Sequence, residues 1–217
     1  MDDETLKLIA QQLRKPQGEY AIHTGEKMNE GNLYINLFTI EALKLEAADN
    51  VLEIGMGNGF FVKNILSVHD SVKYAGCDFS EIMVGEACKY NERFIETGQA
   101  KFFLASADKL PFGDEAFDKI FSINTIYFWD DPALVLSEIW RVLKPKGQII
   151  ISIRPQSVME HYAFAKFGFN MFSKEDLANL LSKSNFKVMT ILEKEEPEQE
   201  ITGTKMKVET LLICAQK

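Results

Sequence analysis

From residue 50 to about 190, short apolar runs alternate with segments whose apolar positions recur at helical spacing. The runs predict strands over Asn50–Ile54, Val72–Cys77, Ala100–Leu104, Phe117–Ile123 and Gln148–Ile153. Between them the pattern predicts helices over Gly59–Val68, Ser80–Gly98 and Asp131–Leu143, and a short turn near Pro111–Asp114. Ser80 suits a helix N-cap, and Pro132 suits the first helical position after Asp131. Lys144-Pro145-Lys146-Gly147 is a helix stop followed by a turn. Strands alternating with helices in this way imply βαβ units and a parallel sheet.

The two ends of the chain differ from this middle. Residues 4–15 form an amphipathic helix with Leu6, Leu8, Ile9 and Leu13 on its apolar side. Residues 14–32 are polar, with glycines and aromatics, and Leu33–Leu45 is helical again. This segment is too small for a domain; it is either a lid over the loop after the first strand or a helix covering a sheet face. At the other end a capped helix is expected over Ser173–Lys183, with Asp176 at its third position. Strand-like runs follow at Phe186–Leu192 and Met206–Ala215, joined by Glu193–Gly203. That connection holds five glutamates and Pro197, and reads as a solvated hairpin loop. Two strands joined by a hairpin place an antiparallel edge on the parallel sheet.

The most informative stretch is Val51-Leu-Glu-Ile-Gly55-Met-Gly57-Asn-Gly59-Phe-Phe61. An apolar run carries one acid, Glu53, and ends in Gly55, Gly57 and Gly59 before a helix-compatible segment. A buried strand, a glycine turn and a helix start let backbone come close to a small ligand. The dinucleotide fingerprint G-x-G-x-x-G fails, because its third glycine falls on Phe60 or Val62. The phosphate-loop Gly-Lys-Ser/Thr is missing as well.

Composition narrows the field. The 217 residues suffice for one sizeable core, and 46% hydrophobic content is ordinary for a globular protein. No apolar run reaches membrane-spanning length. The acidic start Met1-Asp-Asp-Glu4 is unlike a signal peptide, and three cysteines without metal-like spacing read as reduced thiols. A cytoplasmic location is expected, with no metal site, since no His, Cys and Asp cluster has ligand spacing. The net charge of −8 argues against nucleic acid as a partner.

The acid-x-Gly-x-Gly-x-Gly loop resembles the first motif of class I S-adenosylmethionine-dependent methyltransferases, and three further motifs in order extend the resemblance over about residues 50–155. It implies an α/β fold: a doubly wound, mostly parallel seven-stranded sheet, Rossmann-like, with an antiparallel last strand and an N-terminal helical lid. The chain is then one domain, with residues 1–48 as cap, 49–155 as cofactor-binding core and 156–217 as substrate-side segment and final hairpin. Ligands of open α/β sheets bind beyond the carboxyl ends of the strands. After the first strand, Glu53 and the glycine loop would meet the amino-acid tail of S-adenosylmethionine. After the second, Asp78 offers a carboxylate to two ribose hydroxyls, with Phe79 beside it; the resemblance places Met83 on the adenine face. After the third, Ala105-Ser106-Ala107-Asp108-Lys-Leu-Pro-Phe112 resembles the family's Gly-Asp-Ala-Glu-x-Leu-Pro-Phe, with uncharged Ser106 where the family has an adenine-binding acid. After the fourth comes Asn124-Thr125-Ile-Tyr127-Phe-Trp129-Asp130, where the family places sulfonium and substrate. Leu136–Gly147 resembles the family's helix-to-strand connector and carries no chemistry.

Transfer of a methyl group from sulfonium to a small molecule, related in type to quinone-biosynthesis methylation, is the function implied. The demethylated product would be S-adenosylhomocysteine. The reaction is an in-line displacement with a good leaving group, so positioning and exclusion of water are the protein's tasks. Base candidates are scarce: His161 and His23, with Tyr20, Tyr34 and Glu160 as further possibilities; Tyr127 is a third catalytic candidate, and Tyr20, Tyr127 and Trp129 are expected in the acceptor pocket. The Met- and aromatic-rich stretch Ile153–Phe172 would enclose an apolar acceptor or pack as a helix on the sheet. A protein that binds S-adenosylmethionine with little or no catalysis, as sensor or partner, is the alternative.

Overall fold

The computed structural model describes residues 1–201 and 204–217. In chain order the helices are α1 (Asp3–Arg14), α2 (Ala21–Gly31), α3 (Leu33–Leu43), α4 (Val62–Leu66), α5 (Glu81–Tyr90), α6 (Glu92–Glu96), α7 (Pro132–Val142), α8 (Gln156–Met159) and α9 (Lys174–Lys183). The strands are β1 (Asn50–Ile54), β2 (Lys73–Asp78), β3 (Ala100–Leu104), β4 (Phe117–Ile123), β5 (Leu143–Ile153), β6 (Lys187–Glu195), β7 (Gln199–Ile201), β8 (Thr204–Met206) and β9 (Glu209–Gln216). Seven strands form one sheet in the order β3-β2-β1-β4-β5-β9-β6. The first five run parallel, and β9 is antiparallel to both β5 and β6. Strand order reverses between β1 and β4, which opens a crevice at their carboxyl ends.

Side chains of each central strand alternate between two cores. Ile149, Ile151 and Ile153 join α7 and α9 on one face, while Ile150 joins α3 and α4 on the other. Burial on both faces explains why these strands read as continuous apolar runs. Asp131 caps α7 by accepting from the N–H groups of Ala133 and Leu134, and Ser173 with Asp176 forms a capping box on α9.

The expected strands β1, β3 and β4 have the observed bounds, and β2 lies one residue later. Three expectations are corrected. The helix expected over Ser80–Gly98 breaks at Asn91, whose side-chain amide donates to Gly59 O and Ala87 O instead of continuing the helix. The polar stretch 14–32 contains α2, which buries only Ala21 and Gly25 and therefore shows no apolar stripe. The acidic connection after β6 is not a plain solvated loop: Gln199–Ile201 pairs with Thr204–Met206 as a small ribbon, and Glu196 is buried. Gly203, the expected end of that connection, lies outside the described residues.

The N-terminal segment serves both expected roles. α3 packs on the sheet, where Thr39 Oγ1 shares a 2.7 Å hydrogen bond with Ser152 Oγ. α1 and α2 cross the carboxyl ends of the strands. Ser80 Oγ donates to Pro16 O at 2.6 Å, fixing the α1–α2 connection beside β2.

Candidate functional site

The glycine turn after β1 is a backbone-lined bay. Gly55 has φ +76°, and a Cβ there would lie 2.1 Å from Thr125 Cγ2. Gly57 has φ +57° and faces open space, while its N–H donates to Asp78 Oδ2 at 3.0 Å. Both positions favour glycine through the left-handed conformation, and Gly55 also through contact. Gly59, the third expected residue, lies where the turn meets α5. The turn thus hangs from the end of β2, whose Asp78 Oδ1 also accepts from Ser80 N at 2.8 Å.

A cavity of about 300 Å³ lies in this bay. Of the residues expected to hold cofactor, Glu53, Gly55, Gly57, Asp78, Phe79, Met83, Ser106, Ala107, Asp108, Asn124 and Thr125 all line it. Asp78 has spare lone pairs after its two backbone bonds. Met83 is fully buried beneath Gly25 of α2 and lines the cavity with its edge. The Ser106–Asp108 loop is held from below. Arg141 donates to Phe112 O and Leu110 O and pairs with Glu138 and Asp114, and Glu138 accepts from Leu110 N. The Leu-Pro-Phe piece is scaffold, with Phe112 edge-on to Phe103 and Phe117. From above, Leu13, Arg14 and Pro16 complete the wall, and Arg14 reaches Asp130 at 2.8 Å.

Two acids are buried in this bay without an ion-pair partner among the described residues. Burial pushes the Glu53 carboxyl up to about 8, although Tyr74 donates to it at 2.5 Å. Neighbouring Asp78 raises it further. Burial likewise raises Asp78, against backbone hydrogen bonds from Ser80 and Gly57. Such a pair suits a ligand that brings positive charge and hydroxyl donors.

A second cavity of about 580 Å³ abuts the first. The two share Leu13, Met28, Asn32, Asn124 and Phe128 as wall. Tyr20, His23 and Tyr127 line the second cavity, as expected of acceptor-side residues. Tyr127 is nevertheless not a free hydroxyl. It donates to Arg154 O at 2.8 Å, accepts from Arg154 N at 2.7 Å, and burial drives its phenol far upward. These bonds tie β4 to β5, so only the ring of Tyr127 serves the cavity. Trp129 lines the first cavity and not the second. His161 is exposed and lines neither: its neighbours Met159 and Tyr162 turn inward at the end of α8, which points His161 outward. The stretch after β5 is a short helix and turns, not a long helix on the sheet.

Sequence reasoning missed Arg154, Glu196 and Gln199. Arg154 directly follows β5, so reading that strand's carboxyl end would have found it. Glu196 comes to the site at the end of β6, where its N–H donates to Val208 O, and Gln199 at the start of β7, and no local pattern announces either.

The strand order, the glycine bay at the switch point and the acid at the tip of β2 define a Rossmann-like domain with its crevice where such folds take ligands. Residues 52–151 match the methyltransferase domain family. An uncharacterized methyltransferase of Bacillus subtilis, YdaC, is 29% identical over 132 residues, 61% of this chain and 71% of that protein. An O-methyltransferase of Penicillium expansum, cnsE, is 30% identical over 150 residues, 66% of this chain but only 54% of that protein. In structure, the chain resembles the methyltransferase solved with the Haloferax volcanii Trm112 methyltransferase activator, with TM-score 0.76 and 19% identity over 100% of this chain and 98% of that one. The chain is thus similar to methyltransferases in its central residues 52–151 and, over its whole length, in its fold.

Proposed function

We propose that the protein is a class I S-adenosylmethionine-dependent methyltransferase that methylates a small molecule held in the second cavity, against S-adenosylmethionine held in the first. The observation that carries this reading is the shared wall between the two cavities, with an acceptor side that is largely apolar and aromatic. Its volume lies in the range of ordinary small-molecule sites, roughly 300–1,000 Å³. A nucleic-acid acceptor fits poorly with a net charge of −8.

In this reading Glu53 and the turn from Gly55 to Asn58 hold the amino-acid tail, Asp78 receives the ribose hydroxyls, and Met83 with Ser106, Ala107 and Asp108 frames the adenine; Gly59, expected to hold cofactor, lies outside the cavity and packs the turn on Ala87 and Asn91 of the α5 end. Phe79 closes the ribose side. Asn124 and Thr125, between the two cavities, position the reacting ends. Bound cofactor supplies an electrophilic methyl carbon on a cationic sulfur. The protein's own contribution is alignment and dryness: α1 and α2 roof the bay, and Tyr127, Phe128 and Phe169 wall the acceptor side. His23 is the one histidine lining this cavity among the described residues, which makes it the base candidate; it is exposed at the mouth. His161 is no longer a candidate, nor is the Tyr127 hydroxyl.

The test is transfer of labelled methyl from S-adenosylmethionine into a cell extract separated by size. Label in the low-molecular-weight filtrate is expected. Label confined to macromolecules, or cofactor binding with no transfer into any fraction, would refute the reading; the latter would favour a binding protein without turnover.

A further inference from the structure

Resting on the second cavity being the acceptor site, we infer that Asn32 selects the atom that is methylated. Its Nδ2 donates to the acceptor at the passage between the two cavities, and the atom it selects is the oxygen of an aryl hydroxyl rather than the nitrogen of an amine. Five residues line both cavities: Leu13, Met28, Asn32, Asn124 and Phe128. Of these, Asn32 and Asn124 alone have polar side chains, so a group crossing from one cavity to the other passes them. What they offer depends on which way their amides are turned.

A relay of hydrogen bonds fixes both amides, and it starts from the backbone. Asn124 follows β4 with φ +55°, a left-handed conformation that asparagine tolerates. The Arg154 N–H donates to its Oδ1 at 3.2 Å. A backbone N–H can only donate, so the atom it faces is the oxygen, and Asn124 Nδ2 is turned the other way. That Nδ2 donates to Asn32 Oδ1 at 3.1 Å. Asn32 therefore keeps its oxygen toward Asn124, and its own Nδ2 has no partner among the described residues. Nor is that Nδ2 sealed in the protein. Asn32 is half-buried, and the unpaired polar atoms closed off from solvent are Arg154 Nη1 and the Tyr162 hydroxyl. The joint between α2 and α3 that carries Asn32 is clamped as well: Gly31 O accepts from Arg154 Nη2 at 2.9 Å, and Asn32 O accepts from Asn36 Nδ2 at 2.8 Å.

A donor fixed at the passage requires a lone pair opposite it. A hydroxyl oxygen has two, one to attack the methyl carbon and one to accept from Nδ2. As the hydroxyl proton leaves, the growing negative charge on oxygen strengthens that hydrogen bond. An amine spends its single lone pair on the methyl carbon and turns N–H groups toward the Asn32 donor. Both amide oxygens at the passage are already accepting, and among the described residues no Asp or Glu lines the second cavity to receive those N–H groups. The ring of the acceptor fits among Tyr127, Phe128 and Phe169, which meet at aromatic contact distances of 4.7 to 6.2 Å. In the transfer, an oxygen lone pair forms the bond to the methyl carbon and the carbon–sulfur pair stays on sulfur. The hydroxyl proton leaves to water at the cavity mouth, where His23 is exposed.

The experiment follows the methyl group to its atom. The full chain is incubated with S-adenosylmethionine carrying a carbon-13 methyl group and with cell extract, and the low-molecular-weight filtrate is read by carbon NMR. Label in the methoxy region is expected. Label on nitrogen or on carbon would overturn the inference and leave the proposed function standing, whereas a filtrate without label refutes both. A second readout involves no turnover. The chain saturated with S-adenosylhomocysteine is titrated with 1-naphthol against 1-naphthylamine, and with 4-propylphenol against 4-propylaniline. In at least one pair the hydroxyl should bind about five-fold more tightly, the scale of one hydrogen bond. Asn32→Asp keeps the oxygen that accepts from Asn124 and replaces the donor with an acceptor. The preference should then vanish or reverse, with the melting temperature unchanged. Equal binding within both pairs, or a preference that survives Asn32→Asp, would overturn the inference; if that variant misfolds, the position of the label decides alone.

Discussion

Gly55 sits where the left-handed backbone and the Thr125 methyl group both exclude a side chain. Gly55→Val therefore requires the loop after β4 to move, and that loop carries Asn124. We expect S-adenosylhomocysteine affinity to fall by more than about ten-fold, with a stability loss on the order of 1–3 kcal/mol from overpacking, read by calorimetry and thermal melting. Glu53 makes a second prediction. Its folded pKa of about 8 stands above the ordinary value of 4.5, so the folded state holds a proton the unfolded chain has released. Stability of the free protein must then fall as pH rises from about 4.5 to 8, by up to about 1.4 kcal/mol per pH unit. For a chain of this length that is a drop of roughly 2–4 °C per kcal/mol in melting temperature. Glu53→Gln should flatten the curve, leaving a smaller slope from Asp78; parallel curves for the two proteins would contradict this. The glycines and acids of the bay were legible because each stands directly after a strand, where chemistry and position coincide. Arg154 has the same position, but its partner Glu196 is 42 residues away and no spacing rule connects them.

At the scale of elements, the lid is held to the bay by polar contacts from the strand ends: Asn124 Nδ2 donates to Asn32 Oδ1, Arg154 Nη2 to Gly31 O and Ser80 Oγ to Pro16 O. Ser80 is the N-cap of α5 and also donates to Pro16 O, so one side chain ties the roof to the cofactor wall. Ser80→Ala should cost on the order of 1 kcal/mol as a lost cap. It should also speed S-adenosylhomocysteine dissociation and raise hydrogen exchange in α1 while β1 and β4 stay protected. Unchanged exchange in α1 would mean that the Ser80–Pro16 bond does not restrain the lid. The exposed Arg14–Asp130 pair spans the same mouth but adds little, since pairs of this kind contribute about 0–1 kcal/mol. The central strands could be read from sequence because burial on both faces makes them uniformly apolar. α2 could not, because it packs through Ala21 and Gly25, and small residues leave no hydrophobic stripe. The ribbon of β7 and β8 was hidden by the glutamate-rich stretch leading into it, which reads as a solvated face although Glu196 in that stretch pairs with Arg154.

For the molecule as a whole, the sheet gathers the residues of the glycine bay at the carboxyl ends of β1, β2, β3 and β4, and the N-terminal helices roof the crevice where strand order reverses. Two buried acids that form no ion pair among the described residues and an open glycine bay make one half of the site. A largely apolar chamber walled by Tyr127, Phe128 and Phe169 forms the other. The fold was legible from alternation alone, and the cofactor half from motifs at strand ends. The acceptor half was not, since it is assembled from α1, α2, α8 and the ribbon, which meet only in three dimensions. The central claim is that the bay between β1 and β2 binds the cofactor, and titration of the free protein with S-adenosylhomocysteine, followed by calorimetry, tests it most directly. The account predicts saturable binding at one site, a melting temperature that rises with ligand concentration as linkage requires, and loss of both in Asp78→Ala. An unchanged melting temperature at saturating ligand, or binding that Asp78→Ala leaves intact, would contradict it.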